Sequence, residues 1–438
     1  MYFWAHPAKR FGSRLAALMT LCALLLLPLS AAAAGAERMA RETRQQNPDS
    51  VDERLKRGNA LYDKDDFKGA EAEYRVALRL KPDSSEAHRR LGNALHAQRD
   101  LKGAKAEYRE AIRLKPDEPY AHHNLGNVLR EENDLGGAEA EYREALRLKP
   151  DYANGHASLA FLLEDKGDLK GAETEIREAI RLNPKDYYFH FVLGIILEAR
   201  GDTKGAEAEY REALKLKPDD WQTHSNLGAL LLDNHDLKGA EAEYRETVRL
   251  KPSDPGSHSN LGNALREQEN FKAAEAEYRE AFRLDPKFAM AHNNLGILLK
   301  IQGDRKGAEA EFREALRLDP NYAKAHYNLG VLLAAGGDLK GAEAELREAA
   351  RLLPADPDMH YKLGSVLYLE GDSKDAIVEL REAVRLAPNK ADMHLLLGLV
   401  LEGEGDSAGA KDEYHRVLAL DPGNAKARQR LDKLEGKQ

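Results

Sequence analysis

The chain has 438 residues, 32% charged and 42% hydrophobic, a formal net charge of −9 and a single cysteine, Cys22. An acidic chain with interspersed Lys and Arg lacks the clustered positive charge from which nucleic-acid binding draws most of its affinity, so no nucleic-acid partner is expected. The basic stretch Lys426, Arg428, Arg430, Lys433 and Lys437 is too brief to alter that, and one cysteine permits no disulfide framework.

Residues 1–36 read as a signal peptide. Lys9, Arg10 and Arg14 precede an apolar run from Leu15 to Leu29, and Ala34-Gly35-Ala36 supplies a small-residue cleavage pattern. Export to a periplasmic or extracellular location follows. The alternative is a membrane anchor through residues 15–34, about the 20 residues that span a bilayer; Pro28 and the alanine tail favour cleavage. Cys22 lies inside this segment, with apolar sequence continuing after it where a lipoprotein cysteine would end the run, so a cleaved product has no thiol. Residues 37–50 are polar, lack an apolar stripe and suit a flexible linker.

From Val51 the chain repeats, with proline at 82, 116, 150, 184, 218, 252, 286, 320, 354, 388 and 422. The units are 51–84, 85–118, 119–152, 153–186, 187–220, 221–254, 255–288, 289–322, 323–356, 357–390 and 391–424. A 34-residue period marks a solenoid, because each unit is too small to bury its own apolar face and leans on its neighbours. Within each unit, position 8 is glycine except at Ala160, and position 11 is always leucine. Small and apolar residues at this spacing predict a first helix. Position 16 is Asp, or Asn270 in one unit, which predicts the N-cap of a second helix. Gly167, Gly201, Gly303, Gly337, Gly371 and Gly405 precede that cap, where a left-handed residue would close the first helix.

In the second helix, position 20 is always alanine, position 24 usually tyrosine (Tyr74, Tyr108, Tyr142, Tyr210, Tyr244, Tyr278, Tyr414) and position 30 always leucine, an inner apolar face. Glu71 with Arg75 and Glu139 with Arg143 stand four apart on a solvated outer face. Proline at position 32 ends the helix. Residues 425–438 hold an amphipathic capping helix, Ala425 to Leu434, and a tail.

Glycine at 8, alanine at 20, an aromatic at 24, alanine at 27 and proline at 32 resemble the tetratricopeptide repeat, over residues 51–424. The resemblance implies an all-α fold: a right-handed α-solenoid superhelix of eleven helix-turn-helix repeats with a C-terminal capping helix, its first helices lining a concave groove. It places position 6 in the groove, at Asn124, Asn226, Asn260, Asn294 and Asn328, and position 9 adds Asn59, Asn93, Asn127 and Asn263. The arrangement resembles the asparagine ladder in the superhelical arm of O-linked N-acetylglucosamine transferase. An amide offers a donor and an acceptor on one side chain, so it can pair with a peptide unit without reading side chains. Helices pack about 8–10 Å apart and an extended peptide advances about 3.3 Å per residue, so one asparagine per repeat would meet every third residue or so. The same asparagines would equally well solvate an exposed face or cap local backbone.

Arg90, Ser158, Val192, Lys362 and Leu396 interrupt the ladder. Tyr188, Phe191, Val192 and Ile195 with Phe161 would form an apolar and aromatic patch in the groove, or pack neighbouring repeats more tightly. Leu395, Leu396 and Leu399 would pack toward the terminal helix. Histidine fills position 4 in ten units (His88, His122, His156, His190, His224, His258, His292, His326, His360, His394), where the family places a bulky packing residue. One repeat apart they stand too far from each other to share a metal, so half-buried packing is expected, with pH sensing as the other role.

No unrepeated nucleophile and base, Gly-rich phosphate loop, H-E-x-x-H or G-x-S-x-G is present, so no enzyme activity, cofactor or metal is expected. The expected function is an exported scaffold that holds an extended segment of a protein or peptide partner in its groove. The alternatives are an accessory subunit of a cell-envelope or secretion enzyme complex, or a substrate-recognition arm working with a separate glycosyltransferase.

Overall fold

The computed structural model describes residues 50–436. The signal peptide expected at 1–36, the linker at 37–50 except Ser50, and the last two residues of the tail lie outside them. Contacts divide the chain after Leu216. The first unit contains α1 (Val51–Tyr62), α2 (Phe67–Leu80), α3 (Ser85–Ala97), α4 (Leu101–Leu114), α5 (Pro119–Glu131), α6 (Leu135–Leu148), α7 (Ala153–Asp165), α8 (Leu169–Leu182), α9 (Tyr187–Ala199) and α10 (Thr203–Leu216). The second contains α11 (Trp221–Asp233), α12 (Leu237–Leu250), α13 (Pro255–Glu267), α14 (Phe271–Leu284), α15 (Ala289–Ile301), α16 (Arg305–Leu318), α17 (Ala323–Ala335), α18 (Leu339–Leu352), α19 (Pro357–Glu370), α20 (Ser373–Leu386), α21 (Ala391–Gly403), α22 (Ser407–Leu420) and the final α23 (Ala425–Leu434).

This is the expected all-α solenoid of helix-turn-helix repeats, with no strand among the described residues. Odd-numbered helices up to α21 are the first of each repeat and even-numbered helices the second; each pair packs together, and within a unit each second helix packs on the next first helix. Successive first helices also touch, α1 to α3 to α5 to α7 in the first unit and α13 to α15 to α17 to α19 to α21 in the second. They therefore form a continuous face from α1 to α7 in the first unit and from α13 to α21 in the second. No described helix is long and apolar enough to cross a membrane.

The pair is closed by a small residue under a ring. Position 20 alanines are fully buried, from Ala70 to Ala410. The tyrosine at position 24 lies flat on the first helix, where a Cβ on Gly58 would stand 2.4 Å from Tyr74 Cε1 and one on Gly194 2.4 Å from Tyr210 Cε1. Glycine at position 8 is thus the absence of a clash, which a methyl group would relieve only by moving a packed ring. Where Ala160 replaces it, position 24 is the fully buried Ile176, with no ring to displace. The leucine at position 30 is less buried than expected: Leu80 is 50% exposed, because it sits in the last turn, where the helix runs out beyond the core.

The turns follow from local chemistry. Asp66 accepts a hydrogen bond from the Gly69 N–H at 2.9 Å, and Asp100, Asp134, Asp168, Asp236, Asp304, Asp338 and Asp406 do the same three residues on. Asn270 differs from the expected cap and makes no such bond; Ala273 follows it where most repeats have glycine. A Cβ on Gly69 would lie 2.4 Å from Asp66 Oδ2, which shows how tightly that residue crowds the cap. Asp375 nevertheless keeps its N–H bond to Asp372 at 3.1 Å. Before the cap, the six expected glycines have φ between 79° and 90°, and Asp65, Arg99, Asn133, His235 and Glu269 are held at 61° to 66° in the other repeats. Left-handed backbone costs a non-glycine residue roughly 1–2 kcal/mol, partly offset by the 0.5–1 kcal/mol of extra chain entropy glycine loses. Replacing Glu269→Gly should raise unfolding free energy by about 0.5–1 kcal/mol, and Gly201→Ala should lower it by a similar amount, both measured by urea titration. Equal midpoints for wild type and both variants would refute the strain.

Candidate functional site

The face built by the first helices is the candidate site, and in each unit it starts from the position 24 tyrosines. Their rings are buried, so their hydroxyls emerge at this face and need partners. Tyr74, Tyr108, Tyr142 and Tyr278 donate to the Oδ1 of Asn59, Asn93, Asn127 and Asn263, at 2.8, 2.9, 2.7 and 2.9 Å. Tyr210 and Tyr414 donate instead to Glu198 and Glu402, at 2.8 and 2.6 Å. Burial holds these phenols in their neutral donor form, pushing Tyr74 up to about 12 and Tyr142 higher still. Each position 9 amide is thereby oriented: its oxygen is taken, and its Nδ2 remains as the donor.

In the first unit, Asn124 Nδ2 donates to Asn93 Oδ1 at 2.8 Å, so these two asparagines pair with each other across neighbouring repeats. Phe161, Tyr188 and Phe191 come together, with ring centroids 5.9 and 6.0 Å apart, and Phe191 continues to Tyr210 at 6.1 Å. The Arg130 guanidinium lies 5.6 Å from the Phe161 ring. Ile195 is half-buried on the same helix. Val192 does not belong to the patch: its exposure is 0%, because its position on α9 points into the core.

A cluster that sequence reasoning missed sits beside it. Tyr120 and Tyr152 meet edge to face at 5.2 Å, His123 and Tyr152 at 5.1 Å, and Lys149 Nζ reaches the Tyr120 hydroxyl at 2.6 Å. His123 is buried against Ser158 Oγ at 2.9 Å, and burial pushes its pKa down to about 4, so it is neutral. Lys149 belongs to a position that is often lysine, but Tyr120, His123 and Tyr152 stand at positions 2, 5 and 34 in a combination that no other repeat has.

In the second unit, Asn226 and Asn260 are half-buried and make no side-chain hydrogen bond among the described residues. Asn294 is a correction. It is only 7% exposed and donates to Ser259 Oγ at 3.0 Å, so it joins neighbouring first helices instead of facing a groove. Asn328 Nδ2 donates to Asn293 Oδ1 at 2.9 Å, again between successive first helices.

Plain packing does not describe the position 4 histidines either. Each of the ten places Nδ1 at 2.6 or 2.7 Å from the position 23 glutamate of its own repeat. Sequence separation of 19 hid that partner. Among the described residues no group of three or more His, Cys, Asp or Glu side chains is placed to hold a metal ion.

The chain matches the family model described as Tetratricopeptide repeat over residues 32–85, 55–119, 158–220, 199–255, 298–357, 345–390 and 361–425. A second, described as TPR repeat, matches residues 126–167 and 262–303. The chain belongs to the tetratricopeptide repeat family. No curated protein matches it. Among solved structures it is similar to yeast Tom70, at 16% identity over 88% of this chain and 95% of that one, with a TM-score of 0.48. It is also similar to a tetratricopeptide repeat protein from Parabacteroides merdae, at 20% identity over 57% of this chain and 98% of that one, TM-score 0.49. Pseudomonas aeruginosa pilF is similar at 21% identity over 50% of this chain and 97% of that one, TM-score 0.43.

A signal for the amide orientation does exist in the tetratricopeptide repeats themselves. Asparagine occupies position 9 only in repeats with tyrosine at 24; where position 24 is Ile176, Phe312, Leu346 or Leu380, position 9 is Phe161, Ile297, Val331 or Ser365. A double-mutant cycle on Tyr142→Phe and Asn127→Ala should return a coupling energy of about 0.5–1.5 kcal/mol by chemical denaturation. Strict additivity would mean the hydroxyl and amide are not paired.

Proposed function

We propose that this tetratricopeptide repeat protein is an exported, non-enzymatic scaffold that takes an extended segment of a partner protein along its first-helix face. The observation that carries the reading is the oriented donor amides of Asn59 and Asn127 in the same unit as the half-buried run Phe161, Tyr188 and Phe191. Donor amides suit main-chain carbonyls, and a half-buried run of tilted aromatic rings suits an apolar side chain laid against it. Asn226 and Asn260 extend the same chemistry in the second unit with both amide groups unengaged. Export rests on the sequence of residues 1–36.

Affinity capture from the cell envelope, read by mass spectrometry, tests the function. Asn226→Ala with Asn260→Ala, and separately Phe161→Ala with Phe191→Ala, should each reduce recovery of the partner several-fold. The charge swap Glu309→Arg with Arg313→Glu on the outer face, an i,i+4 pair with no cross-repeat partner among the described residues, should not. Loss with the outer-face swap alone would replace this reading with that of an accessory subunit docked through its second helices. Intact mass of the same sample should show a chain beginning at Glu37; retention of residues 15–34 would make it a membrane-anchored scaffold.

A further inference from the structure

We propose that the position 4 histidines form a proton-dependent clasp tying each repeat to the one before it, so that the array is tightest below neutral pH and loosens above it. The geometry makes the argument. His224 places Nδ1 2.6 Å from Glu243 Oε2 and Nε2 3.0 Å from the Pro218 carbonyl oxygen. Both neighbours are acceptors. A neutral imidazole carries one N–H, so only the imidazolium donates to both. Eight further histidines repeat the arrangement, with Nε2 2.9 to 3.4 Å from the carbonyl of the proline that ends the preceding second helix. His292 is the exception: it keeps Glu311 at 2.7 Å and stacks on Phe282 at 4.7 Å.

The first described repeat carries a different residue at this position. There Arg54, permanently charged, takes position 4 and pairs with Glu73 at 3.1 Å. The site therefore calls for a cation.

The charged groups facing each histidine are anionic. For His224 these are Glu243 and, one turn on, Glu246, both on α12, together with the Pro218 carbonyl. His122, His156, His190 and His326 face Glu141 and Glu144, Glu175 and Glu178, Glu209 and Glu212, and Glu345 and Glu348. The hydrogen bond to the glutamate raises the pKa of His122 and His190 against the opposing effect of burial. At His156, His224 and His326 burial is the largest single influence and lowers the pKa, but the glutamates and the carbonyl together outweigh it, and the result is again raised.

A histidine whose pKa is raised on folding contributes stability that is complete below its unfolded value, about 6.5, and is lost as pH climbs through the folded value. On deprotonation the carboxylate can retain the one remaining N–H, so the bond given up is the one to the preceding repeat. His123, with its lowered pKa, acts in the opposite sense, but its window lies between about 4 and 6.5, below the range that matters here.

The test is thermal unfolding of the full chain between pH 6.5 and 9, with and without His122→Gln, His156→Gln, His190→Gln and His224→Gln together. The wild-type midpoint should fall steadily across that range, and the fourfold variant, whose side chains carry no proton to lose, should fall distinctly less. A wild-type midpoint that is flat or rises overturns the proposal. So does a variant that falls as steeply as the wild type, since the loss then comes from charge repulsion elsewhere. Should the variant not fold, nitrogen-15 histidine spectra of the wild type decide: position 4 imidazoles still cationic at pH 7.5 support the clasp, and neutral ones overturn it.

Discussion

The contact on which the rest depends is the tyrosine ring of position 24 lying against the bare backbone of the position 8 glycine. It lets the two helices of a repeat approach closely, over the fully buried alanine of position 20. It also has a consequence outside the core. A ring held in that place puts its hydroxyl at the first-helix face, where a buried phenol without a partner would be costly. Asparagine one position after the glycine supplies the acceptor in four repeats, and glutamate one turn later supplies it in two. Where the ring gives way to Ile176, Leu346 or Leu380, the demand disappears, and position 9 becomes Phe161, Val331 or Ser365. The chemistry of the candidate groove is thus written partly by the packing beneath it.

That dependence explains what could be read in advance. Helices, caps and the left-handed turn residues were legible because each is decided within a few residues, by proline, aspartate and glycine at fixed offsets. The five non-glycine residues at the turn, such as Arg99 and His235, were not, because there the surrounding repeat imposes a conformation that local preference opposes. Asparagines were legible as polar residues at helical spacing, but their engagement was not. Asn294 lies buried and Asn226 half-exposed at the same position of different repeats, and the difference comes from Ser259 on the neighbouring first helix. The position 4 histidines were conspicuous from the start, yet their two partners lie 19 residues ahead and six behind, on separate elements.

Stacking of one repeat on the next is specified by a second set of cross-repeat contacts. Position 14 of a first helix meets position 21 of the preceding second helix. Gln98 reaches Glu71 at 2.8 Å and Gln268 reaches Glu241 at 2.9 Å, while Lys166 pairs with Glu139 and Arg200 with Glu173. Between the second and third repeats the polarity is reversed, Lys105 pairing with Glu132, so the contact survives an exchange of its charges. Between the ninth and tenth repeats it is like against like: Glu370 meets Glu343, and burial and that neighbouring carboxylate raise its pKa.

Surface pairs of this kind are each worth little, roughly 0–1 kcal/mol, which would make them negligible in a globular core. A linear array weighs them differently. Each repeat is held only by its neighbours, so stability is close to a sum over interfaces, and a small term repeated at every interface acts on the whole. The histidine contacts follow the same logic, since nine recur along the chain with one geometry. The apolar packing of alanine, glycine and tyrosine makes the interfaces possible, whereas the polar contacts decide how firmly they hold. Between the ninth and tenth repeats the two kinds of contact coexist: Glu370 faces Glu343, while Arg347 reaches across to Asp375 at 3.1 Å and His360 to the Pro354 carbonyl at 3.0 Å.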